Sequence, residues 1–244
     1  MRSEKPGMRT IYMLRFVGRC AILAACLWTF VFHRDAFDIV QGWNFFRGFS
    51  PFHLLWGIWM IDMLLQLIPT RGYFALGSQK VFRTHFRAVV KKINRESLKK
   101  YIRETTASAY RVMLLWAALI AVIGLLHWRG VLCDASLLLI SAIFYVCDLI
   151  CVLFWCPFRV WIMKNRCCTT CRIFNWDHLM MFSPLIFVKG FFPLSLFFFS
   201  LIIWCVWELC VLLYPERFWE SSNQSLKCAE CTDLLCGQHC RKLR

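Results

Sequence analysis

The chain has 244 residues, enough for one domain or two small ones, and 59% of them are hydrophobic, against roughly 45–50% in an ordinary soluble protein. Only 18% are charged, 17% are aromatic with 12 Trp and 23 Phe, and the mean hydropathy is +0.55. A soluble globular domain and a disordered chain are both excluded, which leaves a multi-pass membrane protein. Lys and Arg outnumber Asp and Glu by 29 to 14, a net charge of +15. These cations sit between apolar segments, and no nucleic-acid-reading motif accompanies them. They read as topogenic charges facing an anionic inner leaflet, and nucleic acid is not expected as a partner.

The first apolar stretch covers residues 11–32 and carries Arg15 and Arg19, which leaves 20–32 to face lipid. Bulky residues run from Trp28 to His33, so no small-residue cleavage site follows, and the segment reads as a retained anchor. The second stretch is 52–68. Between Ser78 and Arg103, apolar Phe82, Phe86, Val89, Ile93, Leu98, Tyr101 and Ile102 recur at helical spacing with Lys and Arg on the other faces. That pattern predicts a basic amphipathic helix lying on the inner membrane surface. The third and fourth stretches are 112–128 and 133–156. Residues 173–188 are apolar but short, and include Asp177, His178 and Pro184, whereas 193–213 is an unambiguous span.

Five or six crossings fit this pattern, and the basic residues separate them. With the amino end inside, six crossings place 25 Lys and Arg inside and four outside, while five place 21 inside and eight outside. Six are favoured, with both termini cytoplasmic, at the cost of thinning or a kink at Pro184. Residues 1–214 then form a transmembrane helical domain, with an inner basic loop at 69–111 and a Cys loop at 157–175. Residues 215–244 form a Cys-rich cytoplasmic tail.

Fifteen cysteines are present, and eight lie in or at the apolar spans, where free Cys behaves as a small hydrophobe. Cys151 and Cys156-Pro157 belong to this set and mark the end of span four. The remaining seven form two groups, Cys167-Cys168-Thr169-Thr170-Cys171 and Cys228-x2-Cys231-x4-Cys236-x3-Cys240. Two Cys-x2-Cys pairs can complete one tetrahedral metal site, so Cys168, Cys171, Cys228 and Cys231 could clasp the tail to the loop after span four. Cys228, Cys231, Cys236 and Cys240 could also close a site alone. Zinc is favoured over an iron–sulfur cluster because its spacing is the commoner and no clear ferredoxin run exists. Disulfides in an exported tail are the third option.

Ionisable groups in spans are costly and are functional candidates by default. Asp62, Asp148 and Glu208 are the acids, and could bind a cation, relay protons or pair with Arg19 or Arg15. His33, His53 and His127 fall near the outer face, beside Cys133 and Asp134, where imidazoles could ligate metal. There is no phosphate loop, nucleophile elbow or zinc-protease motif, which weakens an enzymatic reading.

The segments FHLLWGIWMIDMLLQLIP with ALGSQK, NRCCTTCRIFNWDHLMMFSP and LKCAEC-x4-C resemble an uncharacterised group of multi-pass membrane proteins of anaerobic bacteria. The likeness spans most of residues 50–240. It implies a bacterial cell membrane and no particular activity, and it treats the CCTTC loop and the tail cysteines as parts of one design.

The expected fold is an all-α polytopic bundle of six spans with a basic surface helix and a Cys-rich cap. The expected function is that of a membrane protein whose cap binds zinc as a structural or sensing clasp, with a small translocation path through Asp62, Asp148 and Glu208. The alternative is a redox protein whose iron–sulfur cluster passes electrons to a membrane carrier. A third is a five-span protein with an exported, disulfide-bonded tail.

Overall fold

The computed structural model describes residues 8–69, 79–89, 94–231 and 235. Six α-helices are described: α1 Met8–Phe32, α2 Pro51–Leu67, α3 Arg95–Trp128, α4 Asp134–Leu153, α5 Asp177–Phe182 and α6 Phe191–Leu213. Short 3-10 turns join them, and among the described residues there is no β-strand. α1, α3, α4 and α6 are long and apolar enough to cross a membrane, and α2 is apolar but shorter, at 17 residues. Leu14, Leu114, Leu212 and Leu213 stand exposed on these helices, an outward apolar face that suits lipid.

The helices pack along narrow seams. α2 buries Phe52, Leu55, Trp59, Met63 and Gln66, and α6 buries Phe192, Leu196, Ser200, Ile203, Trp207 and Val211. These positions recur every three or four residues, the stripe that a 3.6-residue period turns to one side. α1 buries only Tyr12, Arg19 and Cys26, each seven residues from the next, so a single line of contact runs along α4. α4 is the central element, with eight buried residues from Leu137 to Leu153.

α2 starts with a capping box in which His53 replaces the usual carboxylate. The Ser50 amide donates to His53 Nδ1 at 3.0 Å, and His53 Nε2 donates to the Phe45 carbonyl at 2.7 Å. Pro51 occupies the first helical position, where its missing N–H costs nothing. α3 starts at Asn94, whose side chain accepts from the Glu96 amide at 3.0 Å, and stops where Gly130 adopts a left-handed φ of +75°.

The segment before α3 departs from the sequence expectation. A single basic surface helix over 78–103 does not form among the described residues. Only Gln79–Val81 makes a 3-10 turn, and residues 82–89 run as turns and extended chain. Their backbone groups are taken by the tail instead: the Val89 amide donates to the Ser222 carbonyl at 3.1 Å and the Gln224 amide to the Arg87 carbonyl at 2.8 Å. Asn223 adds a bond from its side-chain amide to the Lys80 carbonyl at 3.0 Å. The basic residues from Arg95 onward are the first turns of α3, whose 34 residues extend about 51 Å, well beyond an apolar core of roughly 30 Å.

The segment expected at 173–188 forms 3-10 turns at Phe174–Trp176 and Ser183–Phe187 flanking the short α5. Trp176, His178, Met181, Phe182 and Leu185 are buried, so this segment lies inside the bundle. At the opposite end from the tail, Gly42 and Gly190 form an isolated bridge, with the Gly42 amide donating to the Lys189 carbonyl at 2.8 Å.

Candidate functional site

Polar residues from three long helices converge beside α4. Arg19 is 3% exposed, and its Nη1 donates to the Asp148 carboxylate and to the Tyr145 carbonyl, both at 2.7 Å. The guanidinium lies 3.8 Å from the centroid of the Tyr145 ring, and its Nη2 is 3.6 Å from Asp62. Tyr145 closes the circuit by donating its hydroxyl to Asp62 at 2.6 Å. Residues i and i+3 of α4 thus hold one cation between them, the neighbour relation of a helical face.

A second layer adjoins the first. Gln66, one residue from the end of α2, donates to Asp177 at 2.8 Å and stands 3.0 Å from His178 Nδ1. His178 is 2% exposed, and its Nε2 has no hydrogen-bond partner. Three carboxylates, Asp62, Asp148 and Asp177, therefore face one guanidinium and one imidazole in an apolar interior. Glu208 belongs elsewhere: it pairs with Arg172 at 2.6 Å and accepts from the Trp176 indole at 2.7 Å.

Asp148 and Asp177 also line a cavity of about 400 Å³ at the C-terminal end of α4. Its walls include Trp116, Phe144, Phe158, Met180 and Met181. Five thiols reach it, those of Cys147, Cys151, Cys156, Cys168 and Cys171. Trp116 is fixed by a 2.9 Å bond from its indole to Ser183. α4 ends at Leu153, three residues before the expected end of span four, so Cys156 stands outside the helix. Its sulfur accepts from the Arg159 amide at 3.4 Å. The neighbouring Cys151 thiol, with help from Arg159, pulls the Cys156 thiol down to about 7.

Among the cysteines expected to hold metal, Cys168 and Cys171 line this cavity and Cys228 lines another space. Cys168 donates its thiol to the Cys151 carbonyl at 3.2 Å, and burial pushes its ionisation up. Cys171 is 9% exposed, and burial pushes its thiol up to about 11. Cys228 lines a different space, an open groove of about 710 Å³ that it shares with Cys167, Tyr101, Lys164 and Trp219. Cys231 lies 3.6 Å from the Lys80 ammonium. Cys236 and Cys240 lie outside the described residues. Among the described residues, no group of three or more His, Cys, Asp or Glu is arranged to hold a metal ion.

Two of the three histidines expected near one face, His53 and His127, have partners of their own. His53 serves the α2 cap, while His127 faces the Leu132 carbonyl at 2.8 Å and Asp134 at 3.5 Å. Sequence reasoning missed Tyr145, Gln66, Arg172 and the Asp177–His178 pair as partners of the intramembrane charges. It also took Cys151 and Cys156 as separate hydrophobes, although five residues astride a helix end is a spacing at which two thiols can meet. No protein-family model, curated protein or solved structure matches the chain.

Proposed function

We propose that the chain is an integral membrane protein whose working site is the cavity at the end of α4, a binding site for a small molecule carried in the bilayer. One observation carries this reading: an aromatic-walled space of about 400 Å³ holds two half-buried carboxylates and is flanked by residues that face outward. Cys147, Ile150 and Trp155 line it and are exposed on the apolar surface, so a ligand reaches it sideways from lipid. Small-molecule sites are typically concave and mostly apolar, with a few fixed polar groups. In the proposed topology the membrane is crossed six times, α2 and the 174–187 segment completing the count. Both termini and the cavity then lie at the anionic cytoplasmic leaflet, where 25 of the 29 basic residues would gather.

Native mass spectrometry of the chain released from its own membranes tests the site. A bound lipid-soluble molecule is expected, and Ile150→Trp, which fills the mouth, removes it. Equal retention by the variant overturns the reading. An impermeant thiol reagent applied to sealed cells tests the topology, since Cys231 should react only after the membrane is opened.

A second reading, the zinc clasp, draws on the groove where Cys167 and Cys228 face one another's chain segments. The clasp would join Cys168 and Cys171 to Cys228 and Cys231, with Cys236 and Cys240 as further ligands. Elemental analysis of anaerobically purified protein is the test. About one zinc per chain, lost in Cys168→Ser and in Cys228→Ser, is expected of the clasp, iron with sulfide would replace zinc by a cluster, and no metal would remove both.

A further inference from the structure

We propose that the cavity at the end of α4 takes a lipid-soluble organic monocation, a protonated amine or an onium ion; this rests on the cavity being a site for a membrane-borne ligand. Charge gives the first argument. Asp62 and Asp148 share Arg19, at 3.6 and 2.7 Å, and Asp177 has His178 Nδ1 at 3.2 Å. Among the described residues no other Lys, Arg or His pairs with these acids. In their ionised forms, three carboxylates against one guanidinium and one imidazole leave at least one negative charge unmatched, whatever the state of His178. The cavity lining has the same sign, since Asp148 and Asp177 face a single guanidinium, that of Arg159. Arg159 is engaged elsewhere, its Nη1 donating to the Arg166 carbonyl at 2.9 Å. An unmatched carboxylate is costly in an apolar interior, and a bound cation offsets that cost.

The walls select which cation. The Trp116 ring has Phe144 at 4.8 Å and Phe158 at 6.2 Å between centroids, so three aromatic rings stand together on the cavity surface. Ring faces attract an organic cation, more strongly where water is excluded, and the thioethers of Met180 and Met181 are polarisable neighbours. A hard metal cation asks for about six oxygen ligands, whereas this wall sets its two carboxylates among rings, thioethers and thiols. The mouth past Ile150 and Trp155 opens on the apolar face, so the ligand must also dissolve in lipid. A cation that carries its charge on an apolar body meets all of these conditions.

The test uses the full chain in phosphatidylcholine nanodiscs and two probes of one shape and opposite charge, tetraphenylphosphonium and tetraphenylborate. Equilibrium dialysis reads what each leaves bound beyond empty nanodiscs. About one tetraphenylphosphonium per chain is expected, with tetraphenylborate weaker by about tenfold or more. Asp148→Asn and Asp177→Asn should each weaken the phosphonium about tenfold, and Ile150→Trp should exclude it. Arg159→Gln should tighten it several-fold by removing the opposing charge, a gain that a misfolded variant cannot give. Cys205→Ser, exposed on α6, should leave binding unchanged. Tetraphenylborate held as tightly as the phosphonium, or phosphonium binding indifferent to both Asn variants, overturns the cation and leaves the cavity reading standing. No uptake of either probe, or equal uptake in Ile150→Trp, overturns both.

Discussion

Arg172 and Glu208 meet at 2.6 Å although 36 residues separate them in sequence, and the side chains are only 6% and 13% exposed. The Trp176 indole donates to the other carboxylate oxygen, so the acid is held from two sides. This pair ties the Cys loop to the last helix. Glu208→Ala strands a buried guanidinium and should cost about 3–5 kcal/mol, read as a drop in the detergent melting curve. Arg172→Met combined with Glu208→Leu should recover much of that loss, because an apolar pair of similar volume removes both charges together. A double variant as unstable as Glu208→Ala would show that the indole bond dominates.

Arg19 balances Asp148 and Asp62 together, so its removal leaves two carboxylates without their shared cation. Arg19→Leu should cost about 3–5 kcal/mol, near the upper end for a buried charge pair. Arg19→Lys should cost less but still be measurable, since one ammonium cannot reproduce a guanidinium whose Nη1 reaches the Tyr145 carbonyl and Asp148 while its Nη2 faces Asp62. Comparing thermal unfolding of the two in the same detergent checks both claims.

Gly190 tolerates no side chain. A Cβ there would strike the Val40 carbonyl oxygen and come within 3.0 Å of the Gly42 nitrogen, both backbone atoms. Gly190→Ala should break the Gly42 bridge and destabilise by about 1–3 kcal/mol. Gly124→Ala meets only the ring of Phe187, which can turn aside, and should cost less. Hydrogen exchange at the Gly42 amide distinguishes them: fast in the first variant, slow in the second.

Thiol reactivity should rise with pH over different ranges at two cavity cysteines. The thiolate of Cys156 forms as pH rises through about 7, so its alkylation rate should climb from pH 6 and level off above pH 8. Cys171, raised to about 11 by burial, should stay unreactive over that whole range and begin to label only near its own ionisation. Iodoacetamide labelling followed by peptide mass spectrometry reads both at once. A Cys156 profile centred near 9 would remove its activated state.

Much of the bundle was legible in the residues, because apolar run length and helical period report burial directly. The stretches at 133–156 and 193–213 correspond to helices within a few residues, and 112–128 is the second half of a longer helix that begins at Arg95. Where partners are distant, legibility failed. Phe82, Phe86 and Val89 have helical spacing, yet Asn223 and its neighbours, some 140 residues on, claim the backbone of that segment. Asp62 and Asp148 were recognisable as costly charges, but which cation answered them depended on helix rotation, which spacing does not fix. The cavity had no sequence signature at all, since the aromatic and thiol residues lining it have the composition of any span.

The union of Arg19 with Asp148 also sets an order of events during synthesis. The partner residue is made 129 positions later. At roughly 5–20 residues per second, the first helix waits about 6–26 s for Asp148, with only the more distant Asp62 of α2 to answer its guanidinium. Through that interval lipid alone cannot hold the charge cheaply, so α1 stays near the interface or against the insertion machinery until α4 arrives. The bundle is thus assembled inward around its fourth helix, and a ribosome stalled before residue 148 leaves a first span that is poorly anchored.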